Sequence, residues 1–190
     1  MSFRESLDEL TAVLGASRAL EASVRIAGEV ILESLQSGGQ LLTCGNGGSA
    51  ADALHLTEEL VGCYQRKRQA LRAVCLNADV TALTCIANDY GYDHVFARQV
   101  EGLGRAGDVL VGFTTSGNSP NVLAAFEVAR VGGVTTILLG GKGGGEAAGR
   151  CDHEIIVPSN TTSRIQELHT VILHQWLERI DVEVAENPVR

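Results

Sequence analysis

Leu41-Leu42-Thr43-Cys44-Gly45-Asn46-Gly47-Gly48-Ser49-Ala50-Ala51-Asp52 reads as a short apolar strand turning on glycine and asparagine into a helix. A small hydroxyl residue opens that helix. Such a junction presents free backbone N–H groups and the positive end of a helix dipole, which suits a phosphate. The helix continues as Ala53-Leu54-His55-Leu56-Thr57-Glu58-Glu59-Leu60. There His55 and Glu59, four apart, share a face. An anion cradle and a titratable pair therefore sit within a few turns of each other.

Outward from this stretch, βα units alternate. Strands are expected at Gln40–Cys44, Leu71–Leu76, Asp108–Thr114, Val134–Leu139 and Glu154–Val157. Helices are expected at Ser49–Val61, Val80–Ala87, His94–Leu103, Pro120–Val131 and Thr162–Glu186. Short apolar strands separated by helical segments predict a parallel sheet covered on both faces. Ahead of the sheet, residues 3–37 read as helical. Leu7, Leu10, Val13 and Leu14 form one stripe, and Val24, Ala27, Ile31 and Leu35 another. Asp8 or Ser17 could start turns there. The stripes suit packing in an oligomer as well as packing on their own domain. The expected architecture is one doubly wound α/β domain over residues 1–190, with helices 1–37 ahead of a core at 38–190.

A second loop repeats the chemistry of the first. The strand ending at Phe113 runs into Thr114-Thr115-Ser116-Gly117-Asn118-Ser119-Pro120. Ser119 stands where an N-cap belongs and Pro120 at the first helical position. Capping needs one hydroxyl, and four are supplied. In an open parallel sheet ligands bind beyond the carboxyl ends of the strands, where the turns around Ser49 and Ser116 would converge. Neither a Walker A sequence nor a G-x-G-x-x-G fingerprint is present, so a nucleotide is not the favoured ligand. Lys142, in the glycine-rich turn 140–145, reads as a solvated lysine on a loose loop.

The last helix carries Gln166, His169 and His174. The two histidines are five apart and cannot form an i,i+4 metal pair. Gln166 and His174 are offset by roughly 80° and about 12 Å along a straight helix, so one ion reaches both only with both side chains stretched. Otherwise a neighbouring chain supplies one of them.

Composition narrows the classes. The 190 residues are 45% hydrophobic and 4% aromatic with a net charge of -8, which disfavours base stacking and non-specific binding to nucleic acid or anionic membrane. Five cysteines without C-x-x-C spacing give no zinc-finger or disulfide framework. Cys44, Cys75 and Cys85 lie in apolar runs and are expected in the core, reduced. A charged N-terminus without an apolar h-region and no run of membrane-spanning length lead to a cytoplasmic expectation.

Taken together, Cys44–Asp52, His55–Leu60, Ala87-Asn88-Asp89-Tyr90, Thr115–Ser119 and Arg164–His169 closely resemble phosphoheptose isomerases of the SIS (sugar isomerase) fold. The motifs run in the same order from about residue 20 to 182. The resemblance implies a three-layer αβα sandwich around a five-stranded parallel sheet, with a helical N-terminal extension and a long C-terminal helix. It implies a homotetramer with active sites at subunit interfaces. The implied reaction converts D-sedoheptulose 7-phosphate to D-glycero-D-manno-heptose 7-phosphate through an enediolate, for heptose and surface-glycan synthesis. By position, Glu59 matches the general base and His174 the general acid. His55, Glu59, Gln166 and His174 match four ligands that hold zinc in some members. Ser49, Thr114, Thr115, Ser116 and Ser119 match phosphate-contacting positions, with Asn46 and Gly47 shaping the turn and Gln166 beside the substrate. Asp89 matches a polar residue near the sugar, and by its place also reads as a helix-end cap.

One departure is Cys63 after Glu59-Leu60-Val61-Gly62, where many relatives carry Arg; a sugar or phosphate contact is then either absent here or taken up by Arg66 or Arg68. The competing class is a non-catalytic SIS protein that binds a sugar phosphate or a replication-initiation partner. Such relatives keep the loops and lack the acid/base residues.

Overall fold

In the computed structural model, which describes residues 2–189, five parallel strands form one sheet in the order β2-β1-β3-β4-β5. They are β1 (Leu41–Gly45), β2 (Ala73–Cys75), β3 (Val109–Thr114), β4 (Thr135–Gly140) and β5 (His153–Ile156). The helices are α1 (Phe3–Ser17), α2 (Glu21–Gln36), α3 (Gly48–Val61), α4 (Val80–Tyr90), α5 (Ala97–Leu103), α6 (Pro120–Val131) and α7 (Thr162–Glu186).

Alternation along the strands divides the core. Leu41, Val109, Val111 and Phe113 point to one face and meet Ala27 and Ile31 of α2, Leu56 and Leu60 of α3, and Ile165 and Trp176 of α7. Leu42, Cys44 and Leu110 point to the other and meet Val100 of α5 and Val122 and Phe126 of α6. The result is three layers, α/β/α, as expected. The Trp176 indole N–H donates to the Val24 carbonyl at 2.8 Å, tying α7 to α2.

The order of the strands fixes where a ligand can go. From β1 the chain crosses to β2 on one side, and from β2 it returns to β3 on the other, with Gly45 in register with Phe113. The crevice between the carboxyl ends of β1 and β3 is the topological switch point.

Several local expectations change. Ser2, not Asp8, opens α1, in a capping box with Glu5. The stripe of α2 is buried in the chain's own core, whereas Leu7 and Leu14 of α1 remain exposed. Cys44 and Cys75 are core residues, but Cys85 is exposed on α4, because helical periodicity puts it on the face away from Leu83 and Ile86. Residue 94 does not open an α-helix: residues 92–94 form a 3-10 turn and α5 starts at Ala97.

Candidate active site

At the end of β1 the chain must leave the sheet and enter α3 within two residues. Gly47, at φ +57, makes that turn. Asn77 grips the strand end, its amide donating to the Gly45 carbonyl at 2.9 Å and its oxygen accepting the Gly45 N–H at 3.2 Å. Asn46 and Asn121 exchange amide hydrogen bonds at 2.8 and 2.9 Å, and the Tyr92 hydroxyl donates to Asn46 Oδ1 at 3.0 Å. Asn46 thus joins the β1–α3 turn to the start of α6.

Neither α3 nor α6 receives a side-chain cap. Ser119 occupies the N-cap position of α6, yet its hydroxyl pairs instead with Thr114 at 3.0 Å. The Ser116 hydroxyl accepts the Asn118 N–H at 3.1 Å. Ser49 is buried in the first turn of α3. Two helix N-termini and the hydroxyls of Ser49, Thr114, Thr115, Ser116 and Ser119 therefore lie on adjacent strand ends, a neutral-donor site for an anion. Gly117, at φ +69, lets this loop lie against the next one, since a Cβ there would collide with the Gly144 carbonyl.

Helices α3 and α7 run side by side in the same direction. Gly48 lies opposite Gln166, Asp52 opposite Thr170, and His55 opposite His174. Gly48 has no side chain to keep the Gln166 amide away: a Cβ would fall 2.5 Å from Nε2. The Thr170 hydroxyl donates to Asp52 Oδ1 at 3.2 Å, while Oδ2 is buried without a partner among the described residues. Burial pushes the Asp52 carboxyl up, with Thr170 and the nearby His55 pulling the other way.

His55 Nε2 lies 3.7 Å from Glu59 Oε1. The His55 and His174 rings meet edge-on with centroids 5.0 Å apart. His55 thus meets both Glu59 and His174 within one chain. The donor atoms that fall within 4.8 Å of one another are those of His55, Glu59 and Glu58, a residue outside the expected set, and His174 is not among them. That nitrogen-and-carboxylate set is of the kind a divalent ion accepts.

Other expected residues are placed differently. Asp89 is exposed, its carboxylate accepting from Asn88 at 2.7 Å and from Cys85 at 3.7 Å, contacts local to α4. Arg68 does not replace the missing arginine: its side chain is buried in an ion pair with Asp181 at 2.7 Å. His169 is fully buried, its Nε2 3.1 Å from the Gly140 carbonyl oxygen. Burial lowers its pKa to about 4, against the pull of that hydrogen bond, so at neutral pH it is an uncharged core residue. Tyr64 was not legible as a site residue, yet its ring stacks on His174 with centroids 5.3 Å apart.

Residues 5–141 match the model of the SIS domain family. A phosphoheptose isomerase of Campylobacter jejuni is 50% identical over 165 residues, spanning 87% of this chain and 89% of its own. One of Helicobacter pylori is 47% identical over 185 residues, spanning 97% and 93%. The structure of a phosphoheptose isomerase from Neisseria gonorrhoeae superposes with a TM-score of 0.89 at 42% identity, covering 94% of this chain and 96% of that one.

Proposed function

This chain belongs to the SIS-domain phosphoheptose isomerases, and on that premise we propose how its site converts D-sedoheptulose 7-phosphate to D-glycero-D-manno-heptose 7-phosphate. The observation that carries the reading is the meeting of His55, Glu59 and His174 on the α3–α7 seam.

The 7-phosphate sits at the N-termini of α3 and α6, against Ser49, Thr114, Thr115, Ser116 and Ser119. Helix dipoles and neutral donors suit a dianion in a chain whose own charge is -8. Glu59 takes a proton from C1 of the open-chain ketose, and the resulting enediolate takes it back at C2. His174 first opens the sugar ring by protonating its oxygen and recovers a proton from the anomeric hydroxyl as the C2 carbonyl forms. It then protonates O2 and takes the proton that leaves O1. Glu59 and His174 each end the cycle in the protonation state in which they began, so no net proton is gained or lost. Gln166, laid against Gly48, reaches the sugar between phosphate and base, and Asp89 contributes from α4. Zinc would find donors at His55, Glu59, Gln166 and His174, and when bound would polarise the carbonyl and steady the enediolate oxygens.

A homotetramer of one SIS domain per chain, with sites at subunit interfaces, is part of the proposal. Leu54 and Val61 beside the site, and Leu7, Leu14 and Val171 farther off, are exposed apolar residues that a second copy would cover. A cleft of about 650 Å³ between α1, α2 and α7, lined by Leu14, Leu20, Val24 and Ile172, adds to that surface. No helix among the described residues is long and apolar enough to cross a membrane, and we place the enzyme in the cytoplasm, supplying heptose for surface glycans.

The test is incubation with sedoheptulose 7-phosphate, with metal analysis of the same preparation. Turnover to the aldose is expected, falling about a thousandfold in Glu59→Gln with folding intact, within the usual range for loss of a general base. No turnover by the wild type, or full turnover by Glu59→Gln, would sink the mechanism.

A further inference from the structure

The loop between α3 and β2, residues 62–72, contains no part of the reaction described above, yet it is held more firmly than a surface loop requires. Asp181 Oδ2 accepts the N–H groups of Gln65 at 2.6 Å and Arg66 at 2.9 Å, while Oδ1 accepts Arg68 Nε at 2.7 Å. The other Arg68 nitrogens donate to the carbonyls of Glu59 at 2.7 Å and Leu60 at 2.9 Å. Both side chains of this ion pair are buried, at 0% and 1% exposure. The loop is therefore fastened to α7 at one side and to the last turn of α3 at the other. That last turn carries Glu59.

What the clamp holds is Tyr64, the residue immediately before the pinned N–H groups. Asp181 and His174 are seven apart on α7, so they lie on nearly the same face about 10 Å from each other. A loop anchored at Asp181 can thus lay the residue before the anchor back along the helix onto His174. The Tyr64 and His174 rings are 5.3 Å apart and inclined by 22°, a stack, whereas His55 meets the same imidazole edge-on at 81°. A histidine's second side-chain torsion is broad and weakly determined when nothing touches the ring. One face against Tyr64 and one contact from His55 fix the plane of the His174 ring.

We propose that Tyr64 is a positioning residue for His174: its ring, held by the Asp181–Arg68 clamp, aims the imidazole at the substrate oxygens. This rests on the reading of His174 as the acid. The stack uses the face of the ring and leaves the hydroxyl out, so the aromatic ring is the required feature.

Two measurements on the full-length enzyme decide it. In steady-state kinetics with sedoheptulose 7-phosphate, Tyr64→Phe should keep kcat and KM within about twofold. Tyr64→Ala and Tyr64→Leu should lower kcat about tenfold with KM within about twofold, since aim and not binding is lost. In histidine-selective NMR, with His174 assigned by its loss in His174→Asn, the imidazole proton signals should move downfield in Tyr64→Ala as the ring current is removed. They should stay near the wild-type position in Tyr64→Phe. Wild-type kcat in Tyr64→Ala, an equal fall in Tyr64→Phe, or unmoved His174 signals would each overturn the proposal. A wild type without turnover would instead defeat the isomerase reading, and the NMR arm would still report whether the stack exists.

Discussion

Along the seam between α3 and α7, polar residues occur at both ends under opposite terms. Beyond the end of α3, Arg68 and Asp181 are buried and each spends its hydrogen-bonding capacity on the other or on backbone. Along α3 itself, His55 and Glu59, with Gln166 across the seam, are partly open, while Asp52 is buried with its Oδ2 unpartnered among the described residues. A buried charge left unpaired costs more than the fold can bear, so the far end had to be completed. On the proposed reading, the groups along α3 stay incomplete because they are kept for a sugar phosphate or an ion. The contrast separates residues that hold the wall from residues that form it.

The largest effect that could break this contrast lies at the clamp. Asp181→Ala should leave Arg68 buried without its partner and destabilise the protein by about 3–5 kcal/mol. For a chain of this length that is a fall in Tm on the order of 10 °C, measurable by thermal melting. Arg68→Met combined with Asp181→Leu should recover a large part of the loss, because no charge is then stranded. A loss below about 1 kcal/mol in the single variant would mean that water reaches the pair, and the two ends would no longer differ in kind.

Two histidines of α7 set out the same contrast at the level of one residue type. His174 faces the site; His169 faces Phe113 and the Gly140 carbonyl in the core. Because burial lowers the His169 pKa from 6.5 to about 4, the unfolded chain takes up a proton there more readily than the folded one. Its stabilising contribution is therefore complete above pH 6.5 and is lost as the pH falls from there toward 4, on the order of 3 kcal/mol in all. His169→Gln, which keeps a donor for Gly140, should flatten the fall in urea stability over that window relative to wild type. Asp52, whose carboxyl is raised by burial, works in the opposite sense, but it is common to both proteins and drops out of the difference. Parallel curves would show that His169 is protonated as easily folded as unfolded.

The sheet and the long helix were legible because their signals are local. Strand alternation and glycine punctuation located all five strands, and the apolar period of α7 gave Thr162–Glu186 with its observed bounds. Strand β2 is three residues long because its register with β1 covers Ala73, Val74 and Cys75 only, although Leu71 and Leu76 are also buried. The pair His55 and Glu59 was legible from helical spacing; His174 taken singly was not, and only the resemblance gave it a role. Tyr64 and the clamp could not be read at all. Arg68 and Asp181 are 113 residues apart in sequence, and no periodicity relates a loop tyrosine to a histidine on a distant helix. Arg68 stands near the missing arginine in sequence, and its burial against Asp181, which sequence pattern does not reveal, takes it out of that role.

The smallest effect belongs to the hydroxyl loops, where partnered and open groups are hardest to tell apart. Ser119 sits at an N-cap without capping, and its hydrogen bond is to Thr114. If that pair were purely structural, Ser119→Ala would cost some stability and leave KM alone, as loss of an ordinary hydrogen bond does. If the pair is a resting arrangement that turns toward phosphate, removing one hydroxyl should raise KM about tenfold, or about 1.4 kcal/mol, with kcat nearly unchanged. Ser119→Thr should keep the low KM because it keeps the hydroxyl. The phosphate is remote from the carbon that reacts, so binding and turnover must separate here as they do not at Glu59. A fall in kcat with KM unmoved would place Ser119 with the clamp, among the residues that hold the site and do not touch the substrate.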